Sequence, residues 1–146
     1  MHVRQLKLDA FRNYGEMEIT PGAGINILYG ENAQGKTNVL EALSLLATTR
    51  SLRASRESEL IFQGKETALV NAEVEREMRG EVELEVSVFQ TDKKSVSVNG
   101  GKRARVVDIL GQFNAVFFGS IDLSIDRKST RLNSSHSSVS RMPSSA

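Results

Sequence analysis

One eight-residue segment of the chain has the composition and spacing of a phosphate-binding loop. Residues 30–37 read Gly-Glu-Asn-Ala-Gln-Gly-Lys-Thr and fit the Walker A pattern G-x-x-x-x-G-K-[ST] without a mismatch. The glycines allow the backbone to approach phosphate oxygens closely, and the amide N–H groups of such a loop can surround them. Lys36 would reach the β- and γ-phosphates, and the Thr37 hydroxyl would ligate the Mg²⁺ ion that bridges these phosphates. The predicted ligand is ATP with Mg²⁺, and the predicted contact residues are Gly30, Glu31, Asn32, Ala33, Gln34, Gly35, Lys36 and Thr37.

A Walker A match is meaningful only between a strand and a helix, so the flanking residues matter. Residues 25–29 form a short apolar run that predicts a strand buried on both faces of a parallel sheet. Residues 38–48 carry apolar side chains at a spacing that predicts a largely buried helix. The alternative interpretation is a glycine-rich turn that merely starts a helix, and the full match makes it the weaker one.

The rest of the chain alternates apolar and polar residues, which is typical of antiparallel strands with one wet face. Short strands are predicted before the loop at residues 2–8 and 16–20. An antiparallel meander is predicted after the helix, with a turn at Asn99-Gly100 and the strands 68–76, 82–89 and 95–98. A short helix at 106–110 and an apolar strand at 114–118 are predicted to follow.

This arrangement distinguishes between classes of P-loop protein. Small GTPases and nucleotide kinases usually continue in alternating strands and helices, whereas a β-rich insertion suggests the ATP-binding-cassette (ABC) class. The predicted fold class is therefore an α/β P-loop NTPase of the ABC-ATPase type, represented by its N-terminal lobe with an antiparallel β subdomain.

Composition narrows the possible compartments and partners. The 146 residues include 39% hydrophobic residues and no cysteine, which suits one globular domain without disulfides or thiolate metal sites. We find neither a membrane-spanning run nor a signal peptide, so a cytoplasmic protein without a membrane partner is expected. The net charge of +1 combines a tail of +3 with a body of −2, so charge alone gives no argument for nucleic acid.

The last 21 residues differ in character from the rest. Residues 126–146 contain eight serines and few large apolar side chains, so they cannot bury enough surface to offset the entropy of ordering. We interpret residues 1–125 as one ATPase region and residues 126–146 as a disordered Ser/Arg-rich tail that is not native. A functional Ser/Arg tail is the alternative.

Three arginines after the predicted helix are candidates for DNA contact. Arg50, Arg53 and Arg56 recur every three residues, so they would share one side of a helical turn and could face phosphates. A solvated charged face is the competing interpretation. Lys102, Arg103 and Arg105 form a second cluster that we interpret as ordinary hairpin surface.

Several segments of the chain resemble those of a particular family. The segments Phe11-Arg12-Asn13-Tyr14, GENAQGKTN with Val39-Leu40-Glu41-Ala42, and Ser51-Leu52-Arg53 are similar to the RecF family, in the group that includes Rad50 and the SMC proteins. Residues 1–125 carry the likeness. The chain departs from the family pattern at Ser120-Ile121, where Pro-Glu is typical, and this puts the nucleotide-sensing loop in doubt.

The resemblance implies a DNA replication and repair protein that takes part in the SOS response. Such a protein forms an ATP-dependent homodimer, binds DNA at single-strand gaps or ss/ds junctions, and assists RecA loading with RecO/RecR-type mediators. The resemblance would place Arg12 near the bound nucleotide. The other interpretation is that Arg12 is a solvated turn residue. The family's signature motif and Walker B acidic residues are expected downstream of this sequence, so the chain is expected to be a truncated fragment that binds ATP without hydrolysing it.

Other interpretations stay open on the sequence alone. An SMC/Rad50-like protein would show long heptad repeats downstream, and a transporter-type ABC ATPase would associate with membrane subunits. A P-loop small-molecule kinase would phosphorylate an acceptor, and an inert truncated product would do none of these.

Overall fold

A computed structural model describes residues 1–31 and 34–119. In these residues, segments that alternate apolar and polar side chains form a six-stranded antiparallel sheet. The order of its strands is β2-β1-β3-β4-β5-β6. The strands are β1 (His2–Phe11), β2 (Tyr14–Ile19), β3 (Thr67–Arg76), β4 (Gly80–Phe89), β5 (Ser95–Val98) and β6 (Gly101–Lys102). The two N-terminal strands and the meander predicted from the sequence are confirmed, and they belong to one sheet.

One face of the sheet carries the core. The alternate residues of the four inner strands point to this face and are buried, and they include Leu6, Leu8, Val70, Val74, Leu84, Val86, Val96 and Val98. The opposite face is polar and rich in glutamate. Helix α1 (Lys36–Thr48) and two 3₁₀ turns, Glu57–Leu60 and Val106–Ile109, supply apolar residues to the same core. The sheet therefore serves as the platform on which α1 is held.

Two positive φ angles account for the tight turn between β5 and β6. Asn99 has φ 52° and Gly100 has φ 71°, the combination that a two-residue hairpin requires. The turn predicted at Asn99-Gly100 is confirmed.

Helix α1 begins within the last two residues of the phosphate-loop motif. It begins at Lys36, two residues before the predicted start, and ends at Thr48, where the prediction placed its end. Thr49 has φ 61° and its N–H donates to the Leu45 carbonyl, which closes the last turn. The buried side of the helix includes Val39, Ala42, Leu45 and Leu46.

Two predicted strands are absent from the described residues. Residues 25–29 form no strand, and Ile25 is 95% exposed instead of buried. Residues 114–118 also have no regular structure, and Val116 is 99% exposed. A strand needs a neighbour for its N–H and C=O groups, and no described residue pairs with either segment. The helix predicted at 106–110 is a 3₁₀ turn that ends at Ile109.

The chain divides into a compact unit of residues 1–115 and a second unit of residues 116–146. The first contains the sheet, α1 and the phosphate-loop motif. Only residues 116–119 of the second are described, so the predicted disordered tail at 126–146 and the Ser120-Ile121 departure lie outside the described residues. No helix in the described part of the chain is long and apolar enough to cross a bilayer.

Candidate nucleotide-binding site

The ammonium group of Lys36 lies over the backbone of the phosphate-loop motif. Its Nζ donates to the Gly30 carbonyl at 2.7 Å and also to the carbonyl of Glu31. The lysine therefore bridges the first residues of the motif and the start of α1. Asn32 and Ala33, two of the predicted contact residues, lie outside the described residues.

The N-terminus of α1 presents backbone donors rather than a side-chain cap. Gly35 precedes the helix with φ 100°, and its carbonyl accepts from the N–H groups of Asn38 at 2.8 Å and Val39 at 3.3 Å. Among the described residues no side chain caps this end of the helix. The positive end of the helix dipole at this terminus favours an anion. Thr37 is exposed at the same end, where its hydroxyl is accessible.

Gly35 is in close contact with the turn between β1 and β2. A Cβ atom on Gly35 would lie 2.7 Å from both Asn13 Oδ1 and Tyr14 Oη, which is too close for a real carbon. Asn13 Oδ1 also accepts from Asn38 Nδ2 at 2.7 Å. The structure therefore brings the Phe11–Tyr14 segment against the phosphate-loop motif, although the two are well separated in sequence.

Arg12 forms a two-pronged salt bridge with Glu41 of α1. Its Nε donates to Glu41 Oε2 at 2.9 Å and its Nη2 to Oε1 at 2.7 Å, while Nη1 donates to the Glu59 carbonyl at 2.8 Å. Arg12 itself has φ 55°, a conformation that a side chain disfavours and that its N–H bond to the Leu60 carbonyl at 2.7 Å helps to hold. Its side chain is only 19% exposed, so Arg12 is not a solvated turn residue.

Glu41 is the central residue of the cluster that it forms with Arg12 and Ser51, and it was not predicted as a site residue. Its side chain is 1% exposed and accepts hydrogen bonds from Arg12 and from the Ser51 hydroxyl. Burial raises the pKa of the carboxyl group. The hydrogen bonds from Arg12 and Ser51 and the charges of Arg12 and Arg53 lower it, and the net shift of the pKa is downward. Glu41 is therefore a buried carboxylate that stays ionised.

The three candidate DNA-contact arginines do not lie on a helix. Helix α1 has ended at Thr48, so the predicted helical arrangement of Arg50, Arg53 and Arg56 is wrong. All three are exposed on an irregular segment that precedes the 3₁₀ turn. Arg53 Nη1 donates to Asn38 Oδ1 at 3.3 Å, which connects this segment to the first turn of α1.

The second basic cluster has the surface character that was predicted. Lys102, Arg103 and Arg105 are exposed, and Arg105 pairs with Asp108 at 3.0 Å. In the described part of the chain no group of three or more His, Cys, Asp or Glu side chains could hold a metal ion. Thr37 has an exposed hydroxyl, a group that can ligate Mg²⁺.

A phosphate-loop motif at the start of a helix, packed on an antiparallel sheet, defines the N-terminal lobe of a P-loop ATPase of the ABC type. A comparison with known protein families supports this class. The family model described as "RecF/RecN/SMC N terminal domain" matches residues 2–130, and the chain belongs to this family.

Curated relatives are RecF proteins. The DNA replication and repair protein RecF of Synechococcus sp. (strain JA-2-3B'a(2-13)) is 49% identical over 127 residues, which are 87% of this chain and 33% of that protein. RecF of Gloeobacter violaceus is 46% identical over the same length. The chain spans about a third of the length of these relatives.

Solved structures extend the likeness to the fold. The recombination mediator protein RecF with ATP superposes with a TM-score of 0.80 at 33% identity, over 91% of this chain and 38% of that one. A chain from a study of ATP-driven dimerization and DNA-stimulated activation of SMC ATPases gives 0.72 at 25% identity, over 90% of this chain and 96% of that one. The resemblance and the fold class inferred from the sequence are both confirmed.

Proposed function

We propose that this chain binds ATP with Mg²⁺ as part of a DNA replication and repair protein of the RecF type. The observation that carries the proposal is the position of Lys36, whose ammonium lies over the carbonyl of Gly30 at the uncapped start of α1. Backbone donors, a helix N-terminus and a lysine converge there, as binding of a triphosphate requires. RecF with ATP has the same fold in this region, which supports the choice of nucleotide.

In the proposed complex each part of the loop has its own role. Gly30, Glu31 and residues 32–35 provide backbone amides to the phosphates, and Lys36 leaves the loop carbonyls for the β- and γ-phosphates. Thr37 contributes its hydroxyl to Mg²⁺, which neutralises phosphate charge when bound. Arg12 has five N–H donors and uses three within the chain, so a further contact to the nucleotide is compatible with its geometry.

The test is binding of a fluorescent ATP analogue with and without Mg²⁺. Lys36→Ala removes a charge-assisted hydrogen bond of about 1.5–3 kcal/mol, so we expect affinity to fall about 10- to 100-fold. Lys65→Ala is the matched control, because Lys65 is an exposed lysine beside a turn. Equal affinity in the Lys36→Ala and Lys65→Ala variants would refute the proposed site.

We further propose that the segment with Arg50, Arg53 and Arg56 binds DNA phosphates at gaps or ss/ds junctions. The support is that all three side chains are exposed and that Arg53 also contacts Asn38 in the first turn of α1. Replacing all three by alanine should weaken binding to gapped DNA and make its salt slope shallower, by about one for each phosphate that the arginines neutralise. An unchanged salt slope would exclude this segment as the DNA-binding surface.

Assembly and partners are proposed at the level of the whole protein. The likeness to an SMC ATPase chain from a study of ATP-driven dimerization supports an ATP-dependent homodimer. The names of the curated relatives support a role in replication and repair, and we propose assistance to RecA loading with RecO/RecR-type mediators as that role. Size-exclusion chromatography with and without the ATP analogue tests dimer formation directly.

A further inference from the structure

Two chains of hydrogen bonds run from α1 to the segment that carries Arg53. In the first, Asn38 of α1 accepts from Arg53 Nη1 at 3.3 Å. In the second, Glu41 accepts from the Ser51 hydroxyl, and Ser51 Oγ accepts from the backbone N–H groups of Arg53 at 3.0 Å and Ala54 at 2.7 Å. The bend at residues 51–54 is therefore fastened to the helix through side chains rather than through regular backbone pairing.

The same Glu41 carboxylate also holds the turn between β1 and β2. Both of its oxygens accept from Arg12, and Oε1 is shared with Ser51. Glu41 lies four residues after Thr37, so the two side chains lie one helical turn apart on the same face of α1. One buried anion on α1 thus connects the helix with the Arg12 turn and the Arg53 bend.

We propose that Glu41 is a positioning residue that fixes Arg12 and the 51–54 bend on the phosphate-loop helix, so that the nucleotide site and the Arg53 segment move together. A carboxylate that is 1% exposed needs its partners in place, because an unpaired buried charge is costly. The nucleotide part of this inference rests on the proposed ATP-binding function.

The first experiment reads the bend directly and requires no nucleotide. Glu41→Gln keeps the size of the side chain and removes its charge, and amide hydrogen exchange is measured in the chain by NMR. We expect exchange at the amides of Arg53 and Ala54 to accelerate about five- to tenfold, while the amides of β3 and β4 are unchanged. Glu85→Gln is the control, because Glu85 lies on the polar face of the sheet, away from the core cluster. Unchanged exchange at Arg53 and Ala54 would overturn the proposal.

The second experiment measures affinity for the ATP analogue in a double-mutant cycle. If Arg12 acts only when Glu41 holds it, each single variant, Arg12→Ala or Glu41→Gln, should bind the ATP analogue about three- to tenfold more weakly. The double variant should then lose no more affinity than either single variant. A purely structural role would lower the melting temperature without this pattern, and additive losses would refute the coupling. If the unchanged chain fails to bind the analogue, the proposed function is wrong and hydrogen exchange still decides the role of Glu41.

A variant that does not fold would leave no amides to measure, so a second variant is included. In the Arg12→Met/Glu41→Met variant, two apolar side chains replace the buried ion pair, a change that other proteins often tolerate. It should keep the exchange protection of β3 and β4 and lose that of Arg53 and Ala54. Retained protection at Arg53 and Ala54 would contradict the proposal.

Discussion

Replacing Arg12 by alanine should destabilise the chain more than the same replacement of an exposed arginine. The change removes both hydrogen bonds to Glu41, at 2.9 and 2.7 Å, and leaves that buried carboxylate with Ser51 as its remaining partner. Breaking a buried ion pair typically costs about 3–5 kcal/mol. Because the Arg12 side chain is 19% exposed and water can reach the vacated space, we expect a cost at or just below the lower end of that range, about 2–3 kcal/mol.

Urea denaturation followed by circular dichroism measures this free energy of unfolding. Arg4→Ala is the matched control, because Arg4 pairs with Glu81 where both side chains are at least half exposed, and such a pair contributes about 0–1 kcal/mol. The Arg12→Ala/Glu41→Gln double variant should recover part of the loss, since no buried charge is then left unpaired. Equal costs for Arg12→Ala and Arg4→Ala, or no recovery in the double variant, would refute the reasoning.

Two further predictions concern Glu41 and Gly35. Glu41 has a lowered pKa in the folded chain, so its carboxylate stabilises the fold above the unfolded pKa of about 4.3, and this contribution is lost as the pH falls through the lower folded value. Stability measured from pH 7 to pH 3 should therefore fall more steeply in the unchanged chain than in Glu41→Gln, and parallel curves would contradict this. In urea denaturation, Gly35→Ala should lower the free energy of unfolding more than Gly64→Ala does. Both glycines have positive φ, where a side chain adds about 1–2 kcal/mol of strain, but only at Gly35 would a Cβ collide with Asn13 and Tyr14. Equal losses of unfolding free energy in the two variants would contradict this, because they would mean that Asn13 and Tyr14 can move aside without a penalty.

Local rules were sufficient to predict the sheet and the helix. Alternation along residues 68–76 and 82–89 specifies which face is buried, and Asn99-Gly100 specifies a tight hairpin, so these elements need little information from elsewhere in the chain. The phosphate-loop motif could be found because phosphate binding requires its glycines and lysine at a fixed spacing along the sequence. The expectation for residues 25–29 was wrong because an apolar run forms a strand only beside a neighbour, and no described residue provides one.

The environment of the candidate site could not be predicted from local patterns. Charged side chains on a helix are usually solvated, so Glu41 has no signal beyond its place among buried apolar positions. Its partners Arg12 and Ser51 lie 29 and 10 residues away, and only the folded chain brings them together. The three-residue spacing of Arg50, Arg53 and Arg56 suggested a helix, but the left-handed Thr49 had already ended α1.

The most direct test of the central claim is an NMR titration of the chain with a non-hydrolysable ATP analogue and Mg²⁺. If residues 30–37 hold the phosphates, the amide signals of Gly35 and Lys36 should shift most, and the bonds from Lys36 Nζ to the carbonyls of Gly30 and Glu31 should be replaced by contacts to phosphate. Saturable shifts that leave Gly35 and Lys36 unmoved, or that centre on the polar face of the sheet, would contradict the claim.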